Sequence, residues 1–497
     1  MLFALIFLPL AAALTAWFIQ ADGPRRCLLV FTALAEFILA ASCWVYPPAS
    51  VGGELLYLDQ AGLLVLSITC TLFLAASIYG TAYLRAEDSG RRKDFQQGLH
   101  FTNAPEATFT GCLLLFLAAA VLVACTRHFG LLWVGIETTT LVSAPLIYFH
   151  RHRRSLEATW KYLMICSVGI ALALVGNLLL DISMQTGGHG PVDMSVGALQ
   201  KAAGGVHPGW FKTAFVFLFI GYGTKMGVAP MHTWLPDAHS EAPSLVSALL
   251  SGALLNCAFL GIFRSYQVGL AAGLGDFAST LLTAFGLFSM FIAALFIVGQ
   301  GDFKRLPAYS GVEHMGILLL GLGATYGLAP DRVDAGIGWS LHMINHSLVK
   351  GAIFLLAGNI LAKYHTKSSH DVTGLLRVMP RTGILWLIAM LALTGAPPFA
   401  VFASEVSVLQ GLWLSGPVWL APAYLMLLGV IFVGMITPTL RMCRGKAPYG
   451  IEPMPAESPF LWAPPAVLLA LVLLLGLYLP EPLRRAAEAL AHPGLLL

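Results

Sequence analysis

The sequence predicts an all-α polytopic membrane protein of about fourteen transmembrane helices. Three observations predict it. Of 497 residues, 58% are hydrophobic and only 11% are charged, where a soluble domain carries about 25% charged residues. Apolar stretches long enough to cross a bilayer recur from end to end. The longest loops, around 85–108, 184–209, 363–382 and 441–462, are too short to hold a packed core of their own. The whole of 1–497 therefore reads as a single transmembrane domain. Its first apolar segment reads as a retained helix, with no separate signal peptide.

In chain order the expected spans are 1–20, 27–46, 60–84, 109–126, 129–149, 160–183, 210–228, 243–266, 277–299, 311–328, 336–362, 383–412, 418–440 and 463–479. Lys and Arg set their orientation, because short cytoplasmic loops carry the excess of positive charge. If the N-terminus lies outside, 18 of the 28 Lys and Arg fall in cytoplasmic loops and 7 in outer loops and the tail. The remaining three, Lys161, Lys225 and Lys350, lie within spans. The bias predicts a multi-pass protein of the cell inner membrane with both termini on the periplasmic side.

Spans seven and twelve are interrupted. One carries Gly227 and Pro230 just after Lys225, and runs on through His232, Asp237 and His239. The other carries Gly395, Pro397 and Pro398 before it reaches Glu405. Gly and Pro at membrane depth free backbone polar groups, which is tolerated where the break lines a polar cavity or packs on protein. Two such breaks five spans apart suggest two repeats of opposite topology. Taken singly, each would read as an ordinary proline kink.

Ionisable residues inside the spans carry the functional signal, since each costs roughly 2.5–3.5 kcal/mol at membrane depth on insertion scales. His342, His346 and Lys350 are spaced i, i+4 and i+8, so they share one helix face over roughly 12 Å. Such a row can pass protons sideways through a membrane; the bland alternative is a polar seam against a neighbouring helix. Glu137 lies in the middle of span five, with Lys225 its expected ion-pair partner. Asn256 cannot titrate but can hold a water between Lys225 and His342. Glu405 would end the row. His232, Asp237 and His239 are assigned to the supporting polar axis, and Glu313 and His314 to a cytoplasmic mouth beside Lys304-Arg305. Lys161 reads equally as a relay residue or as a side chain snorkelling to the surface. Glu36 reads as packing polarity or a contact to a partner subunit.

Composition also argues against other classes. With 28 Lys and Arg against 25 Asp and Glu, nucleic acid is not an expected partner. The eight cysteines form no CxxC, and no GxGxxG or GxxxxGK[ST] opens a helix, so no cofactor, nucleotide or metal is expected in this chain. Two imidazoles at i, i+4 could bind a metal or haem, but no neighbouring Cys or carboxylate in sequence completes a set.

The stretch from Lys225 to Pro243 resembles the signature of the antiporter-like membrane subunits of respiratory complex I and its relatives. So do Asp302 to Ser310 with His314 to Gly316, and the row His342, His346, Lys350. The stretches Trp133–Thr140 and Ser247–Cys257 are most similar to component F of the hydrogenase-4 type, a membrane subunit of group 4 nickel–iron hydrogenase complexes such as formate hydrogenlyases. The resemblance covers nearly the whole chain. It implies two inverted five-helix repeats, spans 4–8 (108–266) and 9–13 (275–442), with helices 7 and 12 broken. It implies a half-channel in each repeat, joined by a polar axis at mid-membrane. Glu137 and Lys225 match the family's glutamate–lysine pair, His342, His346 and Lys350 its central relay, and Glu405 the end of the second channel. Asn256 departs from the pattern, standing where complex I members commonly place a lysine.

The function these features imply is a proton-translocating subunit of a membrane-bound redox complex, hydrogenase-4-like or complex I-like. Redox centres would belong to a soluble partner module, with other membrane subunits and lipids around the chain and Na⁺ as an alternative cargo. Two alternatives use the same machinery: a subunit of an Mrp-like cation/proton antiporter, and a proton-driven membrane subunit for uptake of inorganic carbon. A non-conducting structural anchor is the bland reading.

Overall fold

The computed structural model describes residues 1–87, 92–95, 98, 100–188, 190, 192–325, 334–454 and 456–491. Three helices come first: α1 (Leu2–Phe18), α2 (Asp22–Ser42) and α3 (Gln60–Ala86). A short antiparallel ladder pairs Arg92–Lys93 with His100–Phe101. The next group is α4 (Glu106–Ala124), α5 (Phe129–Ile147), α6 (Arg153–Thr186), the short α7 (Val196–Ala202), α8 (Pro208–Met226), α9 (Trp234–Glu241), α10 (Ser244–Leu249) and α11 (Leu255–Ala271). Then follow α12 (Gly275–Ile297), α13 (Arg305–Ala324), α14 (Asp334–Tyr364), the short α15 (Leu375–Val378), α16 (Pro380–Leu393), α17 (Ala400–Ser415) and α18 (Leu420–Cys443). The described part closes with α19 (Pro459–Leu477) and the short, charged α20 (Glu481–Leu490).

The protein is therefore a multi-pass, all-helical membrane protein. Among the described residues, ten helical segments are long and apolar enough to cross a bilayer, and α1, α16 and α17 are shorter apolar helices. Hydroxyls inside these apolar helices mostly turn back on their own backbone. Thr71 donates to the Ser67 carbonyl and Ser265 to that of Gly261, which satisfies them without a partner helix. Burial sorts the bundle into layers. The apolar window of α10–α11 is 100% buried and that of α14 is 94% buried, whereas that of α19 is 28% buried. The inner helices are thus α10–α11 and α14, the two that carry Asn256 and the histidine row.

Small residues let helices approach closely, as membrane packing favours. A Cβ on Gly316 of α13 would stand 2.6 Å from the Gly286 carbonyl oxygen of α12. On the other side of the bundle, a Cβ on Gly221 of α8 would stand 2.6 Å from the Ala173 Cβ of α6.

Contacts between connecting segments respect alternate crossing. Asn103 bridges His150, and Asp302 bridges Ser368. Asp94 pairs with Arg154 at 2.7 Å. On the segments of the other parity, His128 bridges Ser195, and the Glu54 carboxylate accepts from the Gly197 N–H at 2.9 Å.

Three expectations are corrected here. Span six starts with α6 at Arg153 instead of 160, and span ten with α13 at Arg305 instead of 311. Residues 326–328 of span ten lie outside the described residues, as do 88–91 of the basic loop. Arg264, counted with the outer loops, is fully buried within α11 and pairs with Asp59 at 2.9 Å. An ion partner from the N-cap of α3 is what allows that burial.

Candidate functional site

The two breaks are built alike. α8 ends with Gly227 at φ +82°, whose N–H bonds the Thr224 carbonyl while the Val228 N–H reaches Gly223 O at 2.9 Å. α16 ends with Gly395 at φ +67°, whose N–H bonds the Ala392 carbonyl while the Ala396 N–H reaches Leu391 O at 3.0 Å. This is the Schellman arrangement twice over, and its left-handed residue is why glycine stands at both places. Pro230 and Pro397-Pro398 follow and prevent the helix from resuming at once. Side chains also bond carbonyls beside both breaks. Trp234 donates to the Thr224 carbonyl at 2.8 Å, and Asn345 to that of Ala400 at 3.0 Å.

Lys225 lies in the last turn of α8, fully buried, where the helix C-terminus favours a cation. Its ammonium donates to Thr140 Oγ1 at 2.7 Å and to Tyr162 OH at 2.6 Å. It also lies 4.6 Å from the Tyr162 ring centre. The expected ion pair with Glu137 is not formed: the carboxylate accepts from Ser167 at 3.2 Å, and its other oxygen has no protein partner. The correction has a simple geometry. Thr140 is three residues beyond Glu137 on the same face of α5, so a hydroxyl meets the ammonium first.

Asn256 sits just past a wide π-turn, Leu250–Leu254. Its amide donates to the Gly252 carbonyl and to Ser347 Oγ, both at 2.8 Å. Ser347 neighbours His346, whose ring centre lies 5.0 Å from that of His314. His314 Nδ1 and His342 Nε2 are 3.0 Å apart, and His342 Nδ1 is 3.0 Å from Ser404 Oγ. Lys350 donates to Ser310 Oγ and to the Pro307 carbonyl. Glu405 follows Ser404 in α17 and packs against the break, where any side chain at Gly395 would strike its carboxylate. The structure thus brings Asn256, His346, His342 and Glu405 together, with Lys350 one turn further along α14.

Glu313 and His314 do not form a mouth. Because α13 starts at Arg305, they lie about two and a half turns inside it, and both are buried. Asp237 and Lys161 are not on the internal axis either. Lys161 reaches the surface, pairing with Glu157 at 2.7 Å and Asp237 at 3.0 Å, and Arg305 joins Asp237 at 2.8 Å. His239 is buried and stacks on Phe354, one turn beyond Lys350 on α14, at 4.8 Å. His232 packs beside the stacked rings of Phe296 and Tyr309, 6.3 and 6.4 Å from their centres. Beyond His239 come Glu241, paired with Lys367 at 2.8 Å, and Lys304, bonded to the Ala242 carbonyl at 2.8 Å. Burial, with Lys367 adding to it, pushes the Lys304 ammonium down to about 7 against the pull of Glu241 and Asp302. Glu36 stands apart in α2, buried and with no protein partner on either oxygen.

Sequence reasoning missed the hydroxyls. Thr140, Ser347 and Ser404 were findable, each lying on or beside the face of a charged neighbour. Tyr162 comes from another helix, and nothing in its spacing points to Lys225. Spacing also did not show that His314 of α13 would stand against His342 and His346, beside the Glu405 expected at the end of the row.

The family described as "NADH:quinone oxidoreductase/Mrp antiporter, TM" matches residues 127–431. The hydrogenase-4 component F homolog of Methylacidiphilum infernorum is 39% identical over 382 residues, covering 76% of this chain and 76% of that one. The chain spans about half the length of several other curated relatives that it matches. Among solved structures, a chain of the archaeal membrane-bound sulfane sulfur reductase superposes with a TM-score of 0.85 at 20% identity, covering 99% of this chain and 97% of that one. A chain of respiratory complex I from Thermus thermophilus gives 0.81 at 20% identity, covering 99% and 100%. At these identities the likeness concerns the fold. Both neighbours are subunits of multi-subunit membrane complexes.

Proposed function

The chain belongs to the NADH:quinone oxidoreductase/Mrp antiporter transmembrane family as an antiporter-like membrane subunit, and from that premise we propose that it moves protons for a hydrogenase-4-type redox complex. One observation carries the reading. A buried polar row runs from Asn256 through Ser347, His346, His314 and His342 to Glu405, and Lys225 with its two hydroxyl partners lies beside the other break. In an apolar bundle such a row is costly to bury unless it is used. Several of its atoms, Asn256 Oδ1, His346 Nε2 and Glu405 Oε1, have no protein partner, and neither do Glu137 Oε2 and Glu313 Oε2 nearby in the bundle. Buried polar atoms of this kind ordinarily bond to water, which is what a proton needs to cross between side chains.

The finer architecture follows the same reading. Fourteen crossings would include two inverted five-helix repeats, 108–266 and 275–442, supported by the matching construction of the two breaks and by the pairing of α6 with α8 and of α14 with α16. His239, Lys304 and the Glu241–Lys367 pair would form the access route from the basic face. Redox centres would reside in a soluble partner module, and Na⁺ would be the competing cargo. Identifying what co-purifies tests the partner: a nickel–iron large subunit is expected, and small Mrp-type subunits in its place would refute this choice.

The 18-to-7 bias supports an inner-membrane protein whose basic loops face the cytoplasm. With Cys27 replaced by Ser, a membrane-impermeant thiol reagent on intact cells should label Lys201→Cys and leave Arg85→Cys unlabelled. The opposite pattern inverts the topology.

Asn256→Leu should slow proton uptake strongly, by about tenfold or more, because it removes the amide that joins Gly252 and Ser347. Little folded protein should be lost, since the new side chain is apolar in an apolar span. Asn256→Lys should retain transport. A normal rate in Asn256→Leu vesicles would route protons elsewhere.

A further inference from the structure

Three ligand-bearing side chains converge where the second break meets the row. His314, His342 and Glu405 are all buried, and one donor atom of each lies within 4.8 Å of the other two. The proton positions can be assigned from the hydrogen bonds. Ser404 Oγ gives its single hydrogen to the Val401 carbonyl at 2.8 Å. It must therefore accept from His342 Nδ1–H. That leaves the lone pair of His342 on Nε2, aimed at His314 Nδ1. An imidazole held by one nitrogen so that the other presents its lone pair is the usual state of a metal-binding histidine. Glu405 Oε1 and the neighbouring His346 Nε2 are both buried without a protein partner.

We propose that His314, His342 and Glu405 bind one divalent transition-metal ion of the zinc type, and that the bound ion stops the row from passing protons. The inference rests on the proton-transfer reading for its consequence, though not for the binding itself. Two imidazoles and one carboxylate are a ligand set that zinc accepts, with a fourth position left for water or His346. Magnesium and calcium prefer oxygen ligands throughout, so imidazoles select against them. Bonds of about 2.1 Å in a tetrahedron hold donor atoms roughly 3.4 Å apart. The 3.0 Å histidine pair would open by a few tenths of an ångström, and the carboxylate would swing in by about an ångström. His314 keeps its ring neutral by carrying its proton on Nε2 in place of Nδ1, and any proton on Glu405 leaves to solvent. The ion then occupies His342 Nε2, the atom that accepts within the row.

Cobalt(II) tests the site by absorption. The full chain in detergent, first stripped with a chelator, is titrated with Co²⁺. One equivalent should give the strong visible bands of a low-coordinate nitrogen–oxygen site, bleached by Zn²⁺. His314→Gln and Glu405→Gln should each weaken that binding at least tenfold, and His370→Gln at the surface should not. Identical titrations in all four proteins, or bands lost only in His370→Gln, would overturn the proposal. Should His314→Gln fail to fold, Glu405→Gln alone decides. In vesicles, Zn²⁺ should arrest proton uptake by the unaltered protein. Cobalt binding by a protein that moves no protons even with chelator present would leave the metal site standing and remove the transport reading. Steady pumping with no site-specific cobalt binding would do the reverse.

Discussion

Lys225→Ala is expected to abolish coupled proton uptake, lowering it by about a hundredfold or more, the scale on which a positioned acid–base group acts. Among the described residues, Lys225 is the buried cation beside the first break, and its ammonium is held by Thr140 and Tyr162. Alanine removes that ammonium, yet strands little. Tyr162 OH keeps Ser143 at 2.6 Å, and Thr140 keeps the Ile136 carbonyl. The chain should therefore assemble normally, which separates a transport defect from a folding defect. Tyr162→Phe is the graded companion, removing one of the two hydroxyl partners and leaving the ammonium on Thr140. The measurement is acidification of proteoliposomes followed with a pH-sensitive dye. Undiminished uptake by Lys225→Ala would end the proposal that this lysine is on the path.

Asp59→Ala should produce the largest loss of stability, about 3–5 kcal/mol, the usual cost of leaving a buried charge without its partner. Asp59 holds the fully buried Arg264 at 2.9 Å and stands 3.7 Å from Arg127. It also caps α3 by accepting from the Gly62 N–H at 2.8 Å. Burial pushes its carboxyl up, but Arg264, Arg127 and the Gly62 N–H overcome that and hold it below the usual carboxylate range. Its contribution is thus full above the ordinary carboxylate pKa and is lost as pH falls through the depressed one. The native protein and Asp59→Ala should converge in acid. Replacing both partners, Asp59→Leu with Arg264→Met, should recover most of the loss, because no charge is then left alone. Thermal unfolding in detergent measures all of these. A single Asp59→Ala as stable as the native chain would show that water, and not Asp59, carries Arg264.

Much of the fold was legible because membrane burial writes itself into composition. Apolar runs located the helices, and Gly with Pro close together, Gly227 with Pro230 and Gly395 with Pro397 and Pro398, located both interruptions. Spacing likewise put His342, His346 and Lys350 on one face. It could not decide which residues from other helices would meet that face. Glu137 and Lys225 looked like a pair because a buried carboxylate and a buried ammonium, in spans five and seven, are each costly if unpaired. The rotation of α5 instead presents Thr140. Glu313 and His314 looked peripheral because the apolar run was taken to begin at 311, whereas Arg305 already lies in the helix. Asp237 looked internal because it lies in a signature rich in polar residues, yet its salt bridges belong to the surface, and Lys161, which read equally as relay or snorkelling, reaches that surface too.

The wide turn at Leu250–Leu254 has a consequence for what this helix can tolerate. A π-turn accommodates one residue more than the α-helical ladder would hold, so everything after it is rotated by about 100° relative to an uninterrupted helix. Asn256 and Arg264 both lie downstream. Their meetings with Ser347 and Asp59 are therefore set by one shared phase angle, fixed upstream of both. Removing a single residue from that turn would swing the two contacts out of alignment together, while hardly changing the length or greasiness of the span. An alignment that scored only hydropathy would call such a deletion harmless.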